Sequence, residues 1–434
     1  MTLNLRATIR RFIVPLLLLT LCPPAVFVFW FTATVLGGSF ETFWHIAWQQ
    51  GLLTTVASIW GPLFLGTPTA WKILACFAAF QLFLMRVVPG KPFTGPITPK
   101  GNVPLYKANG LLCFLITLFT FLGATRLNLF SATIIYDNFG QILGALNCFS
   151  LLFCLYLYFK GRFAPSSSDS GASGSFLFDY YWGTELYPRI CGFDVKQFTN
   201  CRFGMMSWSL ILLSYLAKQE ELHSLSDSMV VAVALQLIYI GKFFFWETGY
   251  LRSLDIMHDR AGFMICWGCL VWLPCIYTSP TLYLVHHPIH LGTFWATAIF
   301  LAGSLSILIN FLADRQRQQI RAKNGACLIW RRPPSLIHAT YRTQNGETKE
   351  TLLLTSGWWG ISRHFHYIPE LMGAFFWSVP ALFSHFLPYF YLLFLTILLV
   401  DRAYRHDKRC AEKYGEHWEK YCERVPYKII PYLF

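Results

Sequence analysis

Charge is what this sequence has least of. Only 13% of its 434 residues are Asp, Glu, Lys or Arg, about half the roughly 25% of an ordinary soluble domain. That shortage excludes a disordered chain, a coiled coil and a conventional water-soluble enzyme. Paired C-x-x-C spacing is also missing. The 13 cysteines are scattered, mostly within apolar runs (Cys76, Cys113, Cys148, Cys154, Cys266, Cys269), and read as packed, reduced thiols rather than a disulfide framework or a zinc site. No small-residue cleavage site follows the first apolar run, Phe12 to Leu36. With Arg6, Arg10 and Arg11 before it, that run reads as a retained first span rather than a signal peptide.

What is abundant is apolar: 55% hydrophobic and 18% aromatic residues. Crossing a bilayer takes about 20 such residues. Stretches near 13–36, 71–88, 110–130, 141–159, 204–217, 229–246, 263–278, 289–312, 370–386 and 388–400 predict an all-α polytopic membrane protein with about ten spans, and 51–66 reads as an interfacial segment. The net charge of +13 sorts by loop. Residues 37–70 and 279–288 hold no Lys or Arg, whereas Arg86, Lys91, Lys100 and Lys107, then Lys160, Arg162, Arg189, Lys196 and Arg202, then Arg315 to Lys349 cluster in alternate connections. By the positive-inside rule this places both termini in the cytoplasm. A chain so apolar has little soluble surface for nucleic acid, and no such partner is expected.

Two polar insertions interrupt the pattern. Residues 164–175, rich in Ser and Gly, predict a flexible linker. Residues 324–355 predict a small β-hairpin from Ala326–Trp330, Ile337–Tyr341, the Asn345-Gly346 turn and Thr348–Thr355. The organisation expected is an N-terminal membrane segment (1–70), a transmembrane ligand-binding core (71–312) and a C-terminal membrane and cytoplasmic cofactor region (313–434).

Three constellations carry chemistry. The first, Gly174 to Arg189, sets Asp179, Tyr181 and Trp182 in an aromatic run suited to covering an amphipathic ligand. In the second, Glu247, Tyr250, Asp255 and His258 follow the sixth span. Positions 247, 251, 255 and 258 have helical spacing, which predicts one face bearing two carboxylates and an imidazole, a source of protons near the bilayer. The third is distributed. Arg317 and Arg321 lie one turn apart, suiting a phosphate monoester. Gly357-Trp358-Trp359-Gly360 predicts the opening of a helix that carries Arg363, His364, His366 and Tyr367. Arg402, Arg405, His406, Arg409, Cys410, Lys413, Tyr414 and Tyr421 follow the last span. Together they outline an anionic, aromatic ligand. The groups His286-His287-x-x-His290 and His364-x-His366 lack the H-x-x-x-H and H-x-x-H-H spacings of membrane di-iron enzymes, so no metal is expected.

These residues resemble the sterol reductase family over roughly 70–434. One signature reads G-x-x-L-F-D-x-Y-x-G-x-x-L-Y-P-R from Gly174, differing at Tyr187. The other runs from Leu399 to Gly415, with Asp401 and His406 where His and Asp are usual. The segments Ala217–Leu222, Phe244–Asp259, Val271–Pro274, Tyr283–Pro288 and Cys327–Trp330 look most like the branch that reduces delta-7 ring double bonds, with the delta-14 branch next. The resemblance implies NADPH as cofactor, held by Arg317, Arg321, Leu354, Trp359, His366, Tyr367, Cys410, Ala411, Glu412, Lys413, Tyr414 and Tyr421, with Arg402 near the nicotinamide. Arg363, His406 and Asp407 stand beside them in the residue reading. It implies a sterol entering from the bilayer among membrane lipids, in the endoplasmic reticulum of a eukaryote or the inner membrane of a bacterium.

An isolated alkene accepts hydride poorly, so a general acid must first protonate one carbon, in a dry aromatic cavity that protects the cation. Two other readings stay open. Tyr414-Gly-x-x-Trp418-x-x-Tyr421 also resembles membrane methyltransferases that use S-adenosylmethionine, though such a donor has no phosphate for two forked cations. The departures at Asp401 and His406 allow a non-catalytic sterol-binding protein.

Overall fold

The computed structural model describes residues 8–98, 100–342 and 348–433. Arg6 and the Asn345-Gly346 turn lie outside them. Among the described residues, seven helices are long and apolar enough to cross a membrane: Ile9–Thr34, Pro68–Val87, Phe139–Phe163, Asp227–Phe245, Phe263–His286, Thr293–Ala322 and Leu387–Tyr414. The polytopic helical class is as expected, and seven of the described helices qualify as spans by length and composition, which leaves the count of ten unconfirmed. The stretch expected at 110–130 forms the shorter Gly110–Arg126, Met205–Leu222 ends in the polar run Lys218 to Glu221, and 370–386 is broken after Ser378.

The chain divides into two compact units. One comprises the residues up to His290 with Ala381–Pro388; the other comprises Leu291–Pro380 with Tyr389 onward. The helix Thr293–Ala322 runs through position 312, where the expected core region ends.

Within the first unit, helices approach closely because small residues line their contacts, which is how helices gain packing where lipid is as apolar as a side chain. Gly140 and Gly144 sit one turn apart on Phe139–Phe163. A Cβ at Gly144 would stand 1.6 Å from the Leu63 carbonyl oxygen, and one at Gly140 would stand 2.6 Å from the Trp30 indole. Polar side chains on different helices bond one another. Trp267 Nε1 donates to Asn147 Oδ1 (2.7 Å), Gln81 Nε2 to Thr117 Oγ1 (2.9 Å) and Trp208 Nε1 to Gln236 Oε1 (2.9 Å). The segment 164–175, expected to be a flexible linker, is instead pinned. Lys100 Nζ donates to the carbonyls of Ser168 and Ser170, and Glu185 accepts from the Ser166 amide and Lys160 Nζ. Ser166 Oγ also accepts from the Arg189 amide, and Ser168 Oγ from Asn102 Nδ2.

In the second unit, Leu336–Arg342 and Thr348–Leu354 pair antiparallel, Ile337 opposite Leu353. Ala326–Trp330, expected as a third strand, makes only the isolated bridge Ile329–Arg332, because Trp330 and Arg331 turn the chain with positive φ. The hairpin packs Ile337, Ala339 and Leu353 onto Cys410, Trp418, Tyr421 and Val425.

Gly144→Ala should lower the thermal midpoint in detergent, by an amount corresponding to about 1–3 kcal/mol of overpacking. Gly268→Ala, where a Cβ meets nothing within 4 Å, should leave the midpoint within error. Equal shifts for the two would contradict the close packing at Leu63.

Candidate functional site

In the second unit, the C-terminal constellation converges. Arg317 lies over the Trp359 ring, 4.1 Å from its centroid, while Trp359 Nε1 donates to the Ala313 carbonyl (2.8 Å). From Trp359 a chain of rings continues to His366 (4.9 Å) and Tyr367 (4.3 Å), then to His364 (5.0 Å) and His406 (5.0 Å). Trp418 (6.2 Å) and Tyr421 (4.9 Å) complete it, and the Tyr421 hydroxyl reaches back to the Trp359 carbonyl (3.4 Å). Leu354 packs with Ile320, Ile329 and Trp359. Lys413 Nζ sits 3.8 Å from the Tyr341 ring and 5.0 Å from that of Tyr414. Sites near 317, 354, 359–367 and 402–421, dispersed in sequence, therefore form one cationic, aromatic cluster.

The local geometry at 357–367 corrects one expectation. Trp358–Ile361 is a single turn, and a separate helix begins at Tyr367. Ser362 is extended between them because the chain there pairs with the C-terminus: the Arg363 and His364 amides donate to the carbonyls of Tyr427 and Lys428. The helix therefore does not open at Gly357, and Arg363 has a different task. Its guanidinium donates to the carbonyls of Val425 (2.8 Å) and Pro426 (2.9 Å) and to Asp407 Oδ2 (3.2 Å), tying the C-terminal segment down. Asp407 also faces Lys428 Nζ (3.8 Å) and His364 Nε2 (3.7 Å).

Burial, then the charge of Arg317, holds His366 well below its ordinary pKa. It is therefore neutral and able to donate a hydrogen bond, and its buried Nδ1 has no hydrogen-bond partner among the described residues. Burial also lowers the pKa of His364, with Asp407 opposing the shift. Arg402 is half-buried one turn before His406, and Arg321 is exposed. Ala411 and Glu412 are exposed too; Glu412 faces Lys408 (3.8 Å) rather than the cluster. A ring nitrogen without a partner, stacked flat rings and a guanidinium over an indole suit a ring-bearing phosphate ester.

In the first unit, the expected single helical face at 247–258 does not form. The helix Asp227–Phe245 ends there, and Glu247–Tyr250 and Leu254–Met257 are separate single turns. Trp246 leaves helical geometry (φ −117°, ψ 37°) and Ser253 is extended, so the chain turns instead of continuing. Glu247 is buried. Its Oε1 pairs with Arg202 Nη1 (2.6 Å) and accepts from Gln197 Nε2 (3.3 Å), and its Oε2 accepts from the Gly110 amide (2.8 Å). Arg202 in turn donates to Asn109 Oδ1 (2.8 Å). Glu247 also lines a pocket of about 290 Å³ with Asn109, Leu111, Leu115, Phe244 and Thr248.

Tyr250 packs beside Leu251 and Ile256, and Asp255 is half-buried. His258 Nδ1 lies 3.0 Å from the buried Asp259 Oδ1. From the first constellation, Trp182 sets its ring against His258 (5.9 Å, 77°). Asp179 instead accepts from the Ser173 amide with both oxygens (2.8 and 3.0 Å), and Tyr181 is buried near Phe263. They shape the loop from within.

Arg202 and Lys196 went unnoticed as site residues because their charges also satisfied the loop count. Lys196 is fully buried and donates to the carbonyls of Asp255 (3.0 Å), Ile256 (2.6 Å) and Asp259 (2.8 Å), and burial lowers its pKa to about 8. The available signal was a cation inside the weakly polar run Val195 to Gly204.

Long apolar helices together with a cationic, aromatic-walled cluster define a polytopic membrane protein equipped for an anionic ring-bearing ligand. The chain belongs to the ergosterol biosynthesis ERG4/ERG24 family of sterol reductases, whose model matches residues 25–434. It is 54% identical over 419 residues (96% of each chain) to a 7-dehydrocholesterol reductase of Arabidopsis thaliana. To a protein of the same name from Xenopus laevis it is 38% identical over 394 residues, covering 87% of this chain and 83% of that one. It is 35% identical over 424 residues, 96% and 94%, to a delta(14)-sterol reductase of Methylotuvimicrobium alcaliphilum.

Glu247→Gln should destabilise the protein by about 3–5 kcal/mol, because it leaves Arg202 buried without its counter-charge. The double variant Arg202→Met, Glu247→Gln should be less destabilised than Glu247→Gln alone, as read from unfolding in detergent. A double variant as unstable as the sum of the two single changes would mean the pair is not coupled.

Proposed function

We propose that this membrane reductase uses NADPH to reduce the delta-7 ring double bond of a sterol of the 7-dehydrocholesterol type, drawn from the bilayer. The observation that carries the reading is the single cluster of Arg317, Trp359, His366, Tyr367, His406 and Tyr421 in a chain 54% identical to a protein of that name. NADPH supplies a hydride when bound. Arg317 and Arg321 would hold the phosphates, with Arg321 facing solvent where a 2′-phosphate is reached. Trp359, Leu354, Tyr367 and Tyr421 would provide flat, dry walls, and His366 a neutral donor. Arg402, His406, Cys410, Lys413 and Tyr414 would line the same face of the last long helix, with Arg402 toward the nicotinamide. Ala411 and Glu412 would border the site from its exposed edge. Arg363 and Asp407 act as positioning residues that fix the C-terminal segment.

For proton supply, Glu247 is committed to Arg202, so the role falls to Tyr250, Asp255 and His258. The buried Asp259 fixes the His258 ring through Nδ1 and leaves Nε2 to give up a proton, and Trp182 flanks the imidazole. The substrate-facing assignment of Asp179 and Tyr181 becomes one of supporting Trp182. The division at 70 and 312, with cofactor residues after 313, is kept as a functional one. The charge distribution over the loops supports cytoplasmic termini, in the endoplasmic reticulum of a eukaryote or the inner membrane of a bacterium.

Delta-14 reduction is the second reading, favoured by the relative that carries that name. The methyltransferase reading is set aside, because the family match takes in the same C-terminal run.

Purified protein given delta-7 and delta-14 sterols with NADPH should yield, by mass spectrometry, only the delta-7 product; conversion of the delta-14 substrate alone would replace the first reading with the second. Arg321→Ala should weaken NADPH far more than NADH, and equal losses would remove the 2′-phosphate role. His258→Gln should lower kcat about 10²–10⁴-fold with the KM for NADPH unchanged; a change in that KM alone would assign His258 elsewhere.

A further inference from the structure

His364 and His406 come from segments far apart in sequence, so no histidine-box spacing reveals that they meet. Together with Asp407 they present one imidazole nitrogen each and a carboxylate oxygen, all within 4.8 Å of one another. His364 is only 2% exposed. Its Nε2 and Asp407 Oδ1 are buried, have no hydrogen-bond partner among the described residues, and face each other at 3.7 Å. That gap is long for a hydrogen bond. It is close to the roughly 3.4 Å that separates two ligand atoms about 2.1 Å from a tetrahedral ion. Asp407 commits its other oxygen to Arg363 (3.2 Å) and Lys428 (3.8 Å), which leaves Oδ1 turned toward the imidazole. Cys410 Sγ lies 3.7 Å from either ring nitrogen of His406, a further soft donor at the edge of the group.

We infer that His364, His406 and Asp407 form a site for a divalent transition ion, best matched by Zn²⁺. Two imidazoles and one carboxylate make a three-ligand set with an open position. Arg363 and Lys428 repel a dication, so the ion is exchangeable rather than a permanent structural part. One consequence rests on the cofactor reading: because His406 also belongs to the proposed NADPH cluster, zinc and NADPH exclude each other.

The test uses the full chain purified in detergent and freed of metal with a chelator. Equilibrium dialysis against Zn²⁺ should give one ion per chain, and Co²⁺ in its place should give the visible bands of a tetrahedral site. His406→Gln should weaken Zn²⁺ at least about 100-fold, the upper end of what loss of an outer-shell partner costs. His406→Asp keeps a ligand oxygen, so it should retain the ion with shifted Co²⁺ bands, which decides the matter if the Gln variant fails to fold. His417→Gln, outside the cluster, should change nothing. Absence of stoichiometric binding, or binding untouched by both His406 variants, overturns the site. Zinc binding that leaves NADPH affinity unchanged overturns the mutual exclusion, whereas loss of zinc binding leaves the cofactor reading standing.

Discussion

The ion pair between Arg202 and Glu247 is the interaction around which the first unit is organised. Both groups are buried, and neither is tolerable alone at the edge of an apolar medium. Besides the pair itself, three partners converge to satisfy them: Asn109, the Gly110 amide and Gln197. Fixing these positions sets where the helix Gly110–Arg126 starts and where the chain turns after Phe245. Lys196 does the same one step further on, capping the carbonyls that the broken helix leaves at Asp255, Ile256 and Asp259. The turn that carries Asp255 and His258 is held because the buried Lys196 collects the backbone oxygens released there.

The second unit solves a different problem with similar means. Its cluster is rich in cations, of which Arg317 faces Asp314 (3.5 Å), Arg405 bonds Asp401 (2.8 Å) and several converge on Asp407. By holding Arg363, Lys428 and His364 at once, Asp407 joins the last long helix to the C-terminal segment. Aromatic faces also receive cations, Arg317 on Trp359 and Lys413 on Tyr341.

Much of this was legible from residues in order. The apolar runs marked the membrane class, and the hairpin was found in the right place, although Ala326–Trp330 turned instead of pairing. Among the C-terminal residues singled out, Arg317, Trp359, His364, His366, Tyr367, His406 and Tyr421 meet in one cluster, whereas Ala411 and Glu412 are exposed. The 247–258 row misled, since helical spacing assumes an unbroken helix and Ser253, extended, breaks it. The Ser- and Gly-rich loop misled for a related reason: composition reports what a segment does in water, whereas Ser166, Ser168 and Asp169 have partners within the fold.

The sequence by itself determined the solvent of this protein and the signs of charge at its loops, because hydropathy and charge are properties of each residue and add along the chain. It also carried the family, since the signatures are contiguous. Tertiary structure alone decided which charges are buried and with whom: that Glu247 serves Arg202, that Arg363 ties down the C-terminus, and that His364 meets His406. Pairing in a low-dielectric interior depends on distance in space, and distance in sequence does not report it.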